Sequence, residues 1–142
     1  MSDNIAVTSG DWQTLGAACR DIRERVFIHE QGVSEAEEID GLDPHCIHFL
    51  MTCRGQPCGT ARLLTDGHIG RVALLASFRG RGLGREMVRA IIDVARQRGH
   101  DSCLLAAQTQ ALGFYESLGF RAQGDVFMEA GIAHREMKLA LN

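Results

Sequence analysis

A glycine-rich turn set between an apolar run and a long helical stretch constrains this chain more than any other feature. The run is Val72 to Leu75, and the turn is Arg79, Gly80, Arg81, Gly82, Leu83 and Gly84. Beyond it, Leu83, Met87, Ile91, Val94 and Ala95 keep helical apolar spacing to about Arg98, and Gly99 supplies a stop. A strand that delivers such a turn into a helix start leaves several backbone N–H groups unpaired and pointing one way, and the helix dipole adds positive potential there. Glycines let a bulky anion approach the main chain, and Arg79 and Arg81 add charge suited to forked contacts with phosphate oxygens. A glycine-rich turn alone is often only a tight turn or a helix cap. The arginines inside it and the strand before it favour a phosphate site. A Walker A loop is excluded because no Gly, Lys, Ser/Thr triplet occurs, and the dinucleotide fingerprint fails because Arg85 stands where a small residue is needed.

The 142 residues, 45% hydrophobic and 23% charged, predict one compact domain spanning 1–142. The N-terminus lacks a basic segment followed by an apolar stretch, and no apolar run reaches bilayer length, so a cytoplasmic protein without a membrane partner is expected. Cys19, Cys46, Cys53, Cys58 and Cys103 form an odd set without paired short spacings, which reads as free thiols. His45, Cys46, His48, Cys53 and Cys58 carry no recurring tight pair, and strand alternation sends neighbours to opposite faces, so no metal site is expected. A formal net charge of -3 argues against general nucleic-acid binding, yet the charge is uneven. Residues 71–98 hold seven arginines against Glu86 and Asp93, while residues 21–43 hold eight acids against Arg23 and Arg25. One region suits an anionic ligand and the other a cationic one.

Ile5 to Thr8 reads as a first strand, followed by a helix whose apolar stripe is Trp12, Leu15, Cys19, Ile22 and Val26, ending near Gly32. Ser34 to Pro44 reads as a loop with one helical turn. Cys46 to Cys53 and Cys58 to Leu64, joined by Arg54, Gly55, Gln56 and Pro57, give a hairpin signal, and Ile69 to Leu75 adds a third antiparallel strand. After the long helix come a buried strand at Ser102 to Ala107, a short helix at Thr109 to Leu118, and a closing strand pair, Arg121 to Phe127 and Ala133 to Leu139.

The order strand, glycine turn, helix, strand, followed by Gln108, Ala111 and the block Gly113, Phe114, Tyr115, Glu116, Ser117, Leu118, Gly119, Phe120, resembles the GNAT acyltransferase superfamily. Arg79, Gly82 and Gly84 match its pyrophosphate motif, and the aromatic block matches the signature after its fifth strand. The stretch from Val26 to Val33, then Glu38, Ile39, Asp40, Gly41 and Asp43, and later Gly131 to His134, looks like a small bacterial subgroup, many members of which have proline where Ala133 stands. The resemblance implies an α+β GNAT fold: a mixed, mostly antiparallel sheet splayed between the fourth and fifth strands and flanked by helices. It implies acetyl-coenzyme A as donor, bound by the turn from Arg79 to Gly84, by the main chain of Val72, Ala73 and Leu74, and by Gln108. It also implies transfer to a primary amine by direct attack, and raises a homodimer as one assembly state.

The only tyrosine, Tyr115, falls on the family's general-acid position, where a protonated phenol can donate to the departing thiolate; the plainer role is core packing, which Phe114 also fits. For the base, relatives often place a glutamate on or beside the fourth strand, and His68 to Val72 holds no carboxylate. Glu30, Asp40, His48 and His134 are the candidates, with Glu30 and His134 leading as base or acceptor-binding groups. The acidic segment favours a cationic acceptor, either a small molecule such as a polyamine, amino sugar or aminoacyl compound, or a protein amine. The rival expectation is a catalytically silent acyl-coenzyme A binding module.

Overall fold

The structure, a computed structural model, describes residues 4–141. Strand β1 (Ile5–Gly10) runs two residues beyond the Thr8 boundary expected from sequence. Asp11 then caps α1 (Trp12–Arg23), its side chain accepting from the Thr14 N–H at 2.8 Å. The helix does not stop there. It loosens into a π-helical segment, Glu24–Glu30, and the chain breaks away at Gly32, whose φ of +75° glycine adopts freely.

Within the acidic segment Ser34 caps α2 (Glu35–Glu38), the single helical turn expected there, and Asp43–His45 form a 3₁₀ turn. Strands β2 (Ile47–Cys53) and β3 (Gln56–Leu63) form the hairpin, with Gln56 and Pro57 already inside β3. The connection is shorter than the sequence suggested because Arg54 and Gly55 both take positive φ, +53° and +78°, the geometry of a tight hairpin turn. Then follow β4 (His68–Leu74), α3 (Leu83–Gln97), β5 (Ser102–Gln108), α4 (Leu112–Glu116), β6 (Arg121–Glu129) and β7 (Ile132–Ala140).

The strands form one seven-stranded sheet in the order β1-β2-β3-β4-β5-β7-β6. Its pairings are antiparallel except β4 with β5, where only His68 with Leu104 and Ile69 with Leu105 are in register. Past Ile69 the two strands diverge. The cause lies in β4: its register against β3 shifts between Thr60 and Arg62, and Arg71 within that bulge has a φ of +53°. The bulge bends β4 away from β5 and opens a wedge in the middle of the sheet.

Strand alternation divides the interior in two. Phe49, Met51, Ile69, Leu105 and Met137 pack with the apolar face of α3, including Met87, Val88 and Ile91. Leu50 and Ala73, one residue out of step, pack instead with Ile22, Val26 and Phe27. The N-terminal helix and α3 therefore cover opposite faces, and each burial of a large aliphatic side chain contributes about 1.5–3 kcal/mol. Among the described residues no helix is long and apolar enough to cross a membrane.

Candidate active site

From Val72 to Leu74 the edge of β4 that faces β5 has no strand partner among the described residues, since β4 and β5 pair no further than Ile69 and Leu105. A peptide-like chain can lie there and be bonded as an added strand would be. The wedge opens into a cleft of about 600 Å³ whose lining includes Val72, Ala106, Gln108, Tyr115 and His134. Five of the catalytic or cofactor-binding candidates named from sequence thus meet around one cavity: Asp40, Val72, Gln108, Tyr115 and His134.

The glycine turn leads into the N-terminus of α3. Gly80 and Gly82 have φ of +77° and +79°, and a Cβ on either would meet nothing within 4 Å, so the space before the helix is open. At Gly84 a Cβ would come within 3.3 Å of the Phe114 ring, which explains a small residue there by close packing. The N–H groups of the first helical turn have no intrahelical acceptors and point into this open space. Arg79 braces the turn: Nε and Nη2 donate to the Leu74 carbonyl at 3.0 and 2.8 Å, and Nη2 donates to Glu30 Oε1 at 2.8 Å. The hydrogen bond from Arg79 holds the Glu30 carboxyl below its ordinary value. Glu30 is consequently an exposed partner of the turn and lies outside the cleft lining.

Tyr115 is buried between Phe114 and Phe120, both edge-on, with ring centroids 5.0 and 5.8 Å away. Burial pushes its phenol up to about 12. It is a neutral hydroxyl at the cleft wall throughout the physiological range. His134 is buried, stacked on Phe127 at 5.9 Å, and its Nδ1 donates to the Ile132 carbonyl at 2.7 Å. In the neutral imidazole that bond places the proton on Nδ1 and the lone pair on Nε2. Gln108, at the end of β5, is tied to the end of the π-helical segment, its Nε2 donating to Gln31 Oε1 at 3.0 Å.

The other base candidates have structural partners. His48 is fully buried, packs at a tilt against Trp12 with ring centroids 4.6 Å apart, and donates from Nε2 to the Asp43 carbonyl at 2.8 Å; burial lowers its pKa. Asp40 is bonded by Arg62 and Arg71. These contacts belong to a network that sequence reading missed. Arg23, 1% exposed, donates to Glu38 and Asp43; Arg62, 4% exposed, donates to Asp43 and Asp40; Arg71 donates to Glu38 and Asp40. Three guanidinium groups meet three carboxylates, so much of the negative field expected from the acidic segment is neutralised on the spot. A signal was available: Arg23 lies four residues after Cys19 on the apolar stripe, and Arg62 interrupts a strand otherwise buried from Cys58 to Leu63. A charge in such a place needs a buried partner.

Residues 13–141 match the model of an acetyltransferase (GNAT) domain. The chain is 41% identical over 119 residues to YyaT of Bacillus subtilis, covering 80% of each chain. It is 36% identical over 120 residues to the N-acetyltransferase YjcF of the same organism, covering 82% of this chain and 86% of that one. Among solved structures, an acyl-CoA N-acyltransferase from Pseudomonas aeruginosa superposes with a TM-score of 0.87 at 29% identity, covering 96% of this chain and all of the other. The splayed sheet, the glycine turn at the head of α3 and this shared ancestry agree: the chain belongs to the GNAT acetyltransferase family and is an acyltransferase.

Proposed function

We propose that the protein transfers the acetyl group of acetyl-coenzyme A to a primary amine by direct attack, without an acyl-enzyme. The observation that carries this reading is the unpaired edge of β4 opening into a cleft walled by Tyr115 and His134. The residues present fit the donor: an open strand edge for an amide-bearing arm, and a glycine turn with free space before a helix N-terminus for a pyrophosphate. Acetyl-coenzyme A supplies a thioester carbonyl and a thiolate leaving group. The main chain of Val72, Ala73 and Leu74 orients the arm, and the turn from Arg79 to Gly84 anchors its charged end.

His134 Nε2, held as an acceptor, takes the proton that the amine nitrogen gives up as it forms its bond to carbon. Tyr115, kept neutral by burial, donates its proton to sulfur as the carbon–sulfur bond breaks, and bulk water restores it. Gln108, held by Gln31, presents its amide to the donor from the end of β5. The cytoplasm is the compartment in which such a donor is met.

Thiol release from acetyl-coenzyme A, followed across a panel of primary amines with the wild-type chain and with Tyr115→Phe, tests the reading. Amine-dependent release that the substitution suppresses is expected. Tight cofactor binding with no amine-dependent release on a broad panel would overturn it in favour of a binding module.

A further inference from the structure

One wall of the cleft carries two polar atoms that the fold leaves unused. Glu38 is 3% exposed, and its Oε2 accepts from Arg23 Nε at 2.9 Å, Arg23 Nη2 at 2.7 Å and Arg71 Nε at 2.9 Å. Nothing among the described residues bonds its Oε1. The sealed-off side-chain atoms that lack partners are His48 Nδ1 and Arg62 Nε, so Glu38 Oε1 keeps an opening to solvent. Arg71 is committed along one edge: besides Nε, its Nη2 donates to the Glu38 carbonyl at 2.8 Å and to Asp40 Oδ2 at 3.3 Å. Its Nη1 has no partner among the described residues. Both residues line the cleft.

The backbone reinforces this placement. Arg71 stands in the β4 bulge at a φ of +53°, a conformation seldom adopted by residues other than glycine, asparagine and aspartate, and it is followed directly by Val72 at the start of the open edge. A rigidly tethered guanidinium with one free N–H edge is thereby fixed beside a rigidly tethered carboxylate with one free oxygen. The ionic cluster that holds them has no net charge, so it offers little general attraction to a polycation. It offers a paired acceptor and donor instead.

We propose that the acceptor is an α-amino acid taken up as a zwitterion, with Glu38 Oε1 receiving its ammonium group and Arg71 Nη1 its carboxylate. This rests on the amine-acetyltransferase reading above and names the class of amine. A simple alkylamine or polyamine satisfies Glu38 and leaves Arg71 facing water. An amino acid satisfies both, and its amine is held beside the strand whose edge orients the donor.

Calorimetric titration of the full chain saturated with coenzyme A tests this without needing turnover. The titrants are the standard L-amino acids and, as matched controls, the amines left when the carboxylate is removed: ethylamine for alanine, 3-methylbutylamine for leucine, cadaverine for lysine. At least one amino acid is expected to bind about tenfold or more tightly than its matched amine, the range of a charged hydrogen bond. Arg71→Gln should erase that margin by weakening the amino acid more than its matched amine, and Arg71→Lys should restore part of it. Equal binding of amino acids and amines by the wild-type chain overturns the proposal, and so does an Arg71→Gln chain that weakens both alike. The wild-type comparison stands even where a variant folds poorly. If amino acids bind in the Arg71-dependent way but release no thiol from acetyl-coenzyme A, the acyl-transfer reading fails and the subsite remains.

Discussion

Tyr115 is the residue at which burial bears most directly on the proposed acid role. A phenol pushed up to about 12 stays protonated well past neutrality, so its capacity as an acid persists on the alkaline side of the pH profile. The turnover number of the wild-type chain is expected to show no decline assignable to this group between pH 7 and pH 10. Tyr115→Phe should lower kcat about 10²-fold with little change in KM for acetyl-coenzyme A, since the ring still packs and only the proton donor is gone. Steady-state kinetics across that pH range checks both outcomes. Glu30 gives the contrasting case. A carboxylate clasped by the Arg79 guanidinium is stabilised in its ionised form and is a weak proton acceptor. Glu30→Gln should therefore leave kcat within about threefold of wild type. Because the pair is largely exposed, the melting temperature should move little. A hundredfold fall in kcat, on the order expected for loss of a general base, would return Glu30 to the catalytic machinery.

At the scale of elements, the segment between the first helix and β2 is held by charge rather than by apolar burial. Asp40 lies well below the usual carboxylate range because Arg62 hydrogen-bonds it. At Asp43 burial pushes the carboxyl up, and the hydrogen bonds and charges of Arg23 and Arg62 outweigh it, so its pKa is lowered. Groups depressed in the folded state stabilise it above their unfolded pKa of about 3.9, and that stabilisation is lost as the pH falls through the folded values. Thermal unfolding followed from pH 6 downward should show a steep loss beginning below about pH 4. Asp40→Asn should flatten part of that slope. Removing Arg23, whose two carboxylate partners would remain buried, should cost about 3–5 kcal/mol by denaturant unfolding. The glycine turn behaves differently. Gly82→Ala places a Cβ at a φ of +79°, costing about 1 kcal/mol of stability, and it crowds the space in front of the helix N–H groups. Its larger effect is expected in KM for acetyl-coenzyme A, measured against an unchanged amine dependence.

The whole molecule was legible in sequence wherever periodicity and turn chemistry act locally. The stripe from Trp12 to Val26, the helix from Leu83 and the aromatic block stand where their patterns placed them, and the hairpin does so with a turn two residues shorter, because apolar spacing and glycine positions act locally. The ionic cluster was not legible, because Arg23, Glu38, Asp43 and Arg62 are brought together by tertiary packing across four separate elements. The π-helical segment escaped for a related reason. Its residues keep a helical apolar pattern, and the loosening at Glu24–Glu30 accompanies the anchoring of Arg23 and the reach of Gln31 toward Gln108. The cysteines show what the assembled fold does to chemistry. All five are buried and none forms a disulfide among the described residues, and burial raises the pKa of Cys19, Cys46, Cys58 and Cys103. A disulfide reagent added to the native enzyme should therefore colour only with the coenzyme A it liberates, and colour from the protein itself should emerge at the rate at which the chain opens. The molecule supplies its own silent background for a turnover assay and, in denaturant, its own unfolding clock.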